Sequence, residues 1–162
     1  MRPLLPLLLA ATLQLASSAP LAGQEDGVRV GLAIGSTSLL AAVVEVMDGR
    51  KSLELTVGTW SFRDLNVSVV GKTYLGASYL RPVLGGGLWA MLARPDDASR
   101  RGVALLARFP VGFDWRAVGD QFLDMELSVT RGLYVRRPDP ESPAPINPRL
   151  VPLPGVSWRW HP

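Results

Sequence analysis

Asp124 and Glu126 stand two residues apart. In a β-strand that spacing puts both carboxyls on one face, where a pair can divide acid and base work on a bond held between them. The rest of the catalytic inventory is thin. His161 is the single histidine, next to last in the chain, so a histidine-dependent triad would have to assemble at the extreme C-terminus. Cysteine is absent, which excludes thiol catalysis, disulfides, cysteine-ligated metals and lipid attachment through a thiol. One histidine and scattered carboxylates do not make a metal-ligand spacing. Gly85-Gly86-Gly87 precedes no helical pattern, so it is not a phosphate loop; it marks a bend, or room beside Trp89. Asn66-Val67-Ser68 matches a glycosylation sequon but falls inside a strand pattern. No catalytic residue, metal or cofactor is assigned. Asp124 and Glu126 have an ion-pair reading beside the acid–base one, with Arg81, Arg108 or Arg159 as partners, and the enzyme alternative is a barrel hydrolase built on them.

The elements that must carry these side chains are strands. From Val28 onward an apolar stripe returns every second residue, the period of a strand with two unlike faces. In Gln121–Val135 the stripe is Leu123, Met125, Leu127, Val129, Leu133 and Val135, against Asp124, Glu126, Ser128, Thr130 and Gly132. Eight such segments are expected: Val28–Gly35, Leu39–Met47, Ser52–Trp60, Leu65–Tyr74, Tyr79–Met91, Val103–Trp115, Gln121–Val135 and Leu150–Trp160. Asp48-Gly49 is a hairpin signal, and 16 glycines with 14 prolines favour turns over long helices. Val28–Met47 alone could pass for an interrupted membrane helix, but Arg29 and Glu45 near its ends favour two strands. Pro152 and Pro154 each remove a ladder hydrogen bond, so regular pairing of the last strand is expected near Gly155, or with a bulged edge.

The first 22 residues read as a secretory signal peptide: Arg2, then the Leu/Ala-rich run Leu4–Leu15, then the small residues of Ala16–Ala22. Cleavage after Ala22 leaves a short polar start at 23–27. Cleavage after Ala19 would leave Pro20 first, which signal peptidase disfavours. A membrane anchor is the other reading, but the run is short for a spanning helix. The expected domain is 28–162, with a Pro-rich loop at 136–149 that could also be read as a polyproline ligand.

Period two does not say which face is inside. A soluble barrel wets its polar face; a membrane barrel encloses it. The polar face carries Arg29, Lys72, Arg81, Arg108 and Arg159 against Glu45, Glu54, Asp114, Asp124 and Glu126, five charges of each sign. Enclosure demands such a balance, because unpaired buried charge is costly. With the N-terminus in the periplasm, the periplasmic turns 48–51, 75–78 and 116–120 are short, and the two longest connections, 94–102 and 136–149, are external. Phe109, Phe113, Trp115, Trp158 and Trp160 lie on the apolar face, with Phe113, Trp115, Trp158 and Trp160 towards the periplasmic end, where amphipathic rings meet a membrane interface. A net charge of +3, with Arg100-Arg101 and Arg136-Arg137 as isolated pairs, gives no nucleic-acid footprint.

On these features the chain resembles the small eight-stranded outer-membrane β-barrels of the OmpA and OmpX type, from Val28 to Trp160. The closing Val156-Ser157-Trp158-Arg159-Trp160 is similar to the family's terminal assembly signal, although His161-Pro162 follow it here. The resemblance implies an all-β, antiparallel up-and-down barrel of about eight strands, transmembrane, in the outer membrane of a Gram-negative-type bacterium. Its implied partners are the lipid bilayer and, through the last strand, the assembly machinery, with a structural or interaction role and a filled, charge-paired interior. The family carries no catalytic motif to this chain, and the partner of the external loops is unknown. The alternative is a secreted or periplasmic soluble, lipocalin-like barrel with an apolar ligand inside.

Overall fold

Alternating side chains give each segment an oily and a polar face, and closing the sheet on itself separates the two completely. The computed structural model describes residues 26–93, 101–137 and 149–162. Within them run β1 (Gly27–Gly35), β2 (Ser38–Asp48), β3 (Lys51–Thr59), β4 (Asp64–Tyr74), β5 (Leu80–Ala93), β6 (Gly102–Val118), β7 (Gln121–Arg136) and β8 (Val151–Trp160). Each pairs antiparallel with the next, and β8 pairs with β1 to close the barrel. The expected signal peptide at 1–22, most of the polar segment 23–27 and most of the 94–102 and 136–149 connections lie outside the described residues.

Following paired residues around the barrel from Gln121 leads through Trp160, Val30, Val44, Leu55, Val69, Leu88 and Ala107. The path returns to β7 at Arg131, ten residues beyond its start. With about 4.8 Å between strands and about 3.3 Å per residue, eight strands with this stagger tilt by about 40°.

Short turns make this order possible. Asp48 pairs with Lys51, so two residues close that hairpin. Gly49, at φ 61°, supplies the left-handed backbone such a loop needs. The strand limits lie within a few residues of expectation, and three departures from the expected pattern matter. β6 runs past Trp115 to Val118 with an irregularity after Arg116, which shortens the following turn to Gly119-Asp120. Arg136, expected in the Pro-rich loop, is the last residue of β7. Near the C-terminal end of β7, Tyr134 pairs with Leu105 but Gly132 pairs with Leu106. Leu133 is therefore an extra residue, a β-bulge, and Leu133, Tyr134 and Val135 are all exposed, so the expected alternation ends there.

The prolines of β8 do not delay the strand to Gly155. The Pro154 carbonyl accepts a 2.7 Å hydrogen bond from the Ser36 N–H, so its ring nitrogen lies on the β1 side, where β1 has already turned away. Towards β7 the pairing continues through Pro154 with Leu127 and Pro152 with Val129. A missing N–H costs little where there is no ladder to join.

The apolar stripes face outward. Leu32, Leu53 and Leu88 are 54%, 56% and 50% exposed, whereas Arg29, Glu45 and Asp114 are fully enclosed. The lipocalin-like orientation, with an apolar interior, is not the one adopted. Val28–Met47 forms β1 and β2, and no helix among the described residues is long and apolar enough to cross a membrane.

Candidate functional site

The polar face of every strand points into the barrel, so its charged side chains must find partners there. Arg81 of β5 donates to Asp114 of β6 at 2.6 Å. Asp114 also accepts from Arg29 of β1 at 3.3 Å, and Arg29 lies 3.8 Å from Glu45 of β2. Arg159 of β8 contacts Glu45 and Glu54 at 2.7 Å each and Asp124 at 2.9 Å. Lys72 of β4 contacts Glu54 at 2.6 Å, Asp124 at 3.0 Å and Glu126 at 3.4 Å. Arg108 of β6 contacts Glu126 and lies 3.5 Å from Glu54. All ten charged residues singled out in the sequence thus join one chain of contacts.

The register alone would set some of these residues against each other. Glu45 pairs directly with Glu54, and Asp114 with Asp124; like charges opposite one another destabilise a sheet. The cations that answer them come partly from across the barrel. Glycines give the long side chains room. Arg159 lies opposite Gly31, Lys72 opposite Gly85, Arg108 opposite Gly87, and Glu126 between Gly112 and Gly155. A Cβ at Gly112 would sit 2.0 Å from the Met125 carbonyl oxygen. Gly85-Gly86-Gly87 is therefore a space-making segment, and it lies beside Lys72 and Arg108 as well as Trp89.

Neutral groups complete the interior, and sequence reasoning named none of them as a partner of the charges. The Tyr74 hydroxyl donates to Glu45, and the Ser52 hydroxyl does so at 2.5 Å. Arg108 donates to Ser128 at 3.0 Å and to Ser68 at 2.9 Å. The Arg29 guanidinium stacks 3.6 Å from the centre of the Phe122 ring, a cation–π contact. Phe122 occupies an interior-parity position before Asp124, and that was the available signal. Trp89 donates to the buried Asn66 at 3.1 Å, so the sequon side chain points inward. Towards the end of the barrel that holds the β1–β2 turn, a cavity of about 20 Å³ lies beside Thr37, Glu54, Arg108 and Glu126, room for about one water.

The geometry gives Asp124 and Glu126 ion-pairing work. Asp124 is held by Lys72 and Arg159, and Glu126 by Lys72 and Arg108; Arg81, the other expected partner, goes to Asp114. His161 sits edge-on to Phe122 with ring centroids 6.0 Å apart, and its N–H donates to the Asp120 carbonyl at 3.2 Å. Among the described residues no group of three His, Asp or Glu side chains is placed to hold a metal ion.

On the outside, Trp115 and Trp160 are exposed near the N-terminal end of the barrel, with Trp158 and Phe113 further in and Phe109 higher on β6. The opposite end adds exposed Trp60, Phe62 and Tyr134. Between the ends the outward stripe of the described strands is apolar or small, with one charged exception, Arg131 of β7. Its parity with Leu123, Met125, Leu127 and Val129 was legible in the sequence, but the apolar stripe read there passed over it.

No protein family matches the chain, and no curated protein is significantly similar to it. Among solved structures it is similar to the N-terminal β-barrel domain of Pseudomonas aeruginosa OprF, with a TM-score of 0.64 and 15% identity over 85% of this chain and 98% of that one. At this identity the likeness is one of fold: a closed, eight-stranded antiparallel barrel of the kind that the sequence resembles.

Proposed function

We propose that this protein is a small outer-membrane β-barrel of structural or interaction type, with a charge-paired plug for an interior and no catalytic role. The reading rests above all on a belt of half-exposed Leu, Val, Ile, Phe and Trp that surrounds a closed barrel whose charges are enclosed. Soluble monomers rarely expose contiguous apolar patches beyond a few hundred Å², whereas a bilayer solvates such a belt. Gln121 and Arg131, ten residues apart on β7, differ in height by about 25 Å, the usual height of the apolar band of an outer-membrane barrel. The aromatic residues near both ends fit the girdles of such barrels. An apolar depression of about 1090 Å³ on the outer face, lined by Leu84, Phe113, Leu127 and Val156 among others, is suited to acyl chains.

In this reading residues 1–22 are a signal peptide, removed before the barrel enters the outer membrane of a Gram-negative-type bacterium, and β8 is the strand offered to the assembly machinery. The ion pairs fill the lumen, as expected for eight strands, and hold the wall rigid while the external connections meet a partner.

The test is fractionation and labelling. The protein should separate with outer membranes and migrate faster in detergent gels before heating than after. A cysteine at position 127 (Leu127→Cys), unique in this chain, should resist a water-soluble thiol reagent in native membranes and react with a membrane-soluble one. Recovery as a soluble periplasmic protein, or full labelling of Leu127→Cys by the water-soluble reagent, would overturn the proposal.

A further inference from the structure

We infer that the external rim of β6, β7 and β8 binds a phosphate-bearing lipid headgroup of the surrounding leaflet through Arg131 and Arg136. The inference rests on the membrane reading above and begins from the oddity of Arg131. Among the described residues it is the one charged side chain on the outward stripe between the strand ends. It is exposed, opposite Ala107 on the same outer face. An arginine at the middle of a lipid-facing strand would be strongly unfavourable, and near the boundary the cost falls almost to nothing. The stagger of the barrel puts Arg131 about 25 Å above Gln121, at the external edge of the apolar belt.

Other arginines gather at the same edge. Arg136, exposed at the end of β7, pairs with Val103, two residues from the exposed Arg101. Arg149 precedes β8, whose first residue, Val151, pairs with Thr130 beside Arg131. The basic groups at this rim are arginines throughout, whose planar fork matches phosphate oxygens in pairs. Apolar surface below a band of guanidinium groups is complementary to a lipid with acyl chains below and an anionic head above, and it fits no soluble anion as well.

The test uses the full mature chain folded into vesicles of phosphatidylcholine, with and without phosphatidylglycerol, and measures the phosphatidylglycerol retained on the barrel by native mass spectrometry. An arginine that meets the retained headgroup is worth about fivefold, so Arg131→Gln should lower retention about fivefold and the Arg131→Gln/Arg136→Gln pair about thirtyfold. Arg50→Gln, at the other end, should leave it unchanged. All variants should remain heat-modifiable. Equal retention by folded wild type and double variant would overturn the inference and leave the membrane reading intact. An equal loss in Arg50→Gln would overturn it as general surface attraction, and displacement of the lipid by inorganic phosphate would overturn the choice of a lipid. Failure of wild type to enter either vesicle would sink the membrane reading itself, and this inference with it.

Discussion

Glu45 and Glu54 stand directly opposite each other in the β2–β3 register, and Arg159, 114 and 105 residues away in the chain, reaches each of them at 2.7 Å. Two carboxylates in one cross-strand pair are tolerated because a cation from β8, two strands from β2 and three from β3, lies between them. Without it, burial would make their repulsion severe.

Replacing Arg159 should therefore be the most damaging change to the interior. Arg159→Leu leaves Glu45, Glu54 and Asp124 with less compensation, and the loss should be about 3–5 kcal/mol. Urea unfolding of the folded barrel in vesicles measures it. Adding Glu45→Gln to Arg159→Leu should recover part of the loss, since a neutral amide relieves the excess negative charge. If the double variant is no more stable than the single, ion pairing is not what Arg159 contributes.

The glycines beside the long charged side chains make a sharper geometric prediction. Gly112→Val would drive a Cβ to within 2.0 Å of the Met125 carbonyl oxygen, a backbone neighbour that can move only if the β6–β7 pair moves. The heat-modifiable form should be lost or destabilised by about 1–3 kcal/mol. Gly71→Ala is the control: it faces outward, and its nearest neighbour would be 3.9 Å away, so gel migration should match wild type.

At the start of β4, Asp64 closes the β3–β4 turn. Its carboxylate accepts from the backbone N–H of Trp60 at 3.0 Å and of Ser61 at 2.8 Å. Partial burial pushes the carboxyl up, but these bonds, with those from the Ser61 hydroxyl and the Asn66 amide, hold it down at about 2, below the ordinary 3.8. A depressed carboxylate stabilises the turn fully above its unfolded value and loses that contribution as pH falls from about 4 through about 2. Amide resonances of Trp60 and Ser61 should shift with a midpoint near pH 2 in wild type and show no such transition in Asp64→Ala. A wild-type midpoint at the ordinary carboxylate value would refute this account of the turn.

The tryptophans divide by face. Trp89 is 4% exposed and bonded to Asn66, whereas Trp160 is 39% exposed on the outer surface. In single-tryptophan variants folded into vesicles of brominated lipid, Trp160 emission should be quenched strongly and Trp89 weakly. Equal quenching would mean that Trp89 does not point inward.

Much of the fold is legible in the sequence because alternation is a property of the local backbone. Val28, Val30, Leu32 and Ile34 share a face wherever β1 lies, and the two-residue connection after Asp48 announces its own hairpin. That the ten charged residues share one face could be read off by parity alone. The bulge at Leu133 could not, since it depends on how β6 and β7 meet, and neither could the harmlessness of Pro152 and Pro154, which depends on where β1 ends.

Alternation, turn chemistry and charge balance along the chain thus determined an all-β protein with one oily and one charged face. The tertiary structure decided that the charged face is enclosed and which charges meet. Arg159 is drawn to Glu45, Glu54 and Asp124 because a closed sheet staggered by ten residues brings distant strand positions to one height. That stagger belongs to closure of the whole barrel, and no single strand encodes it.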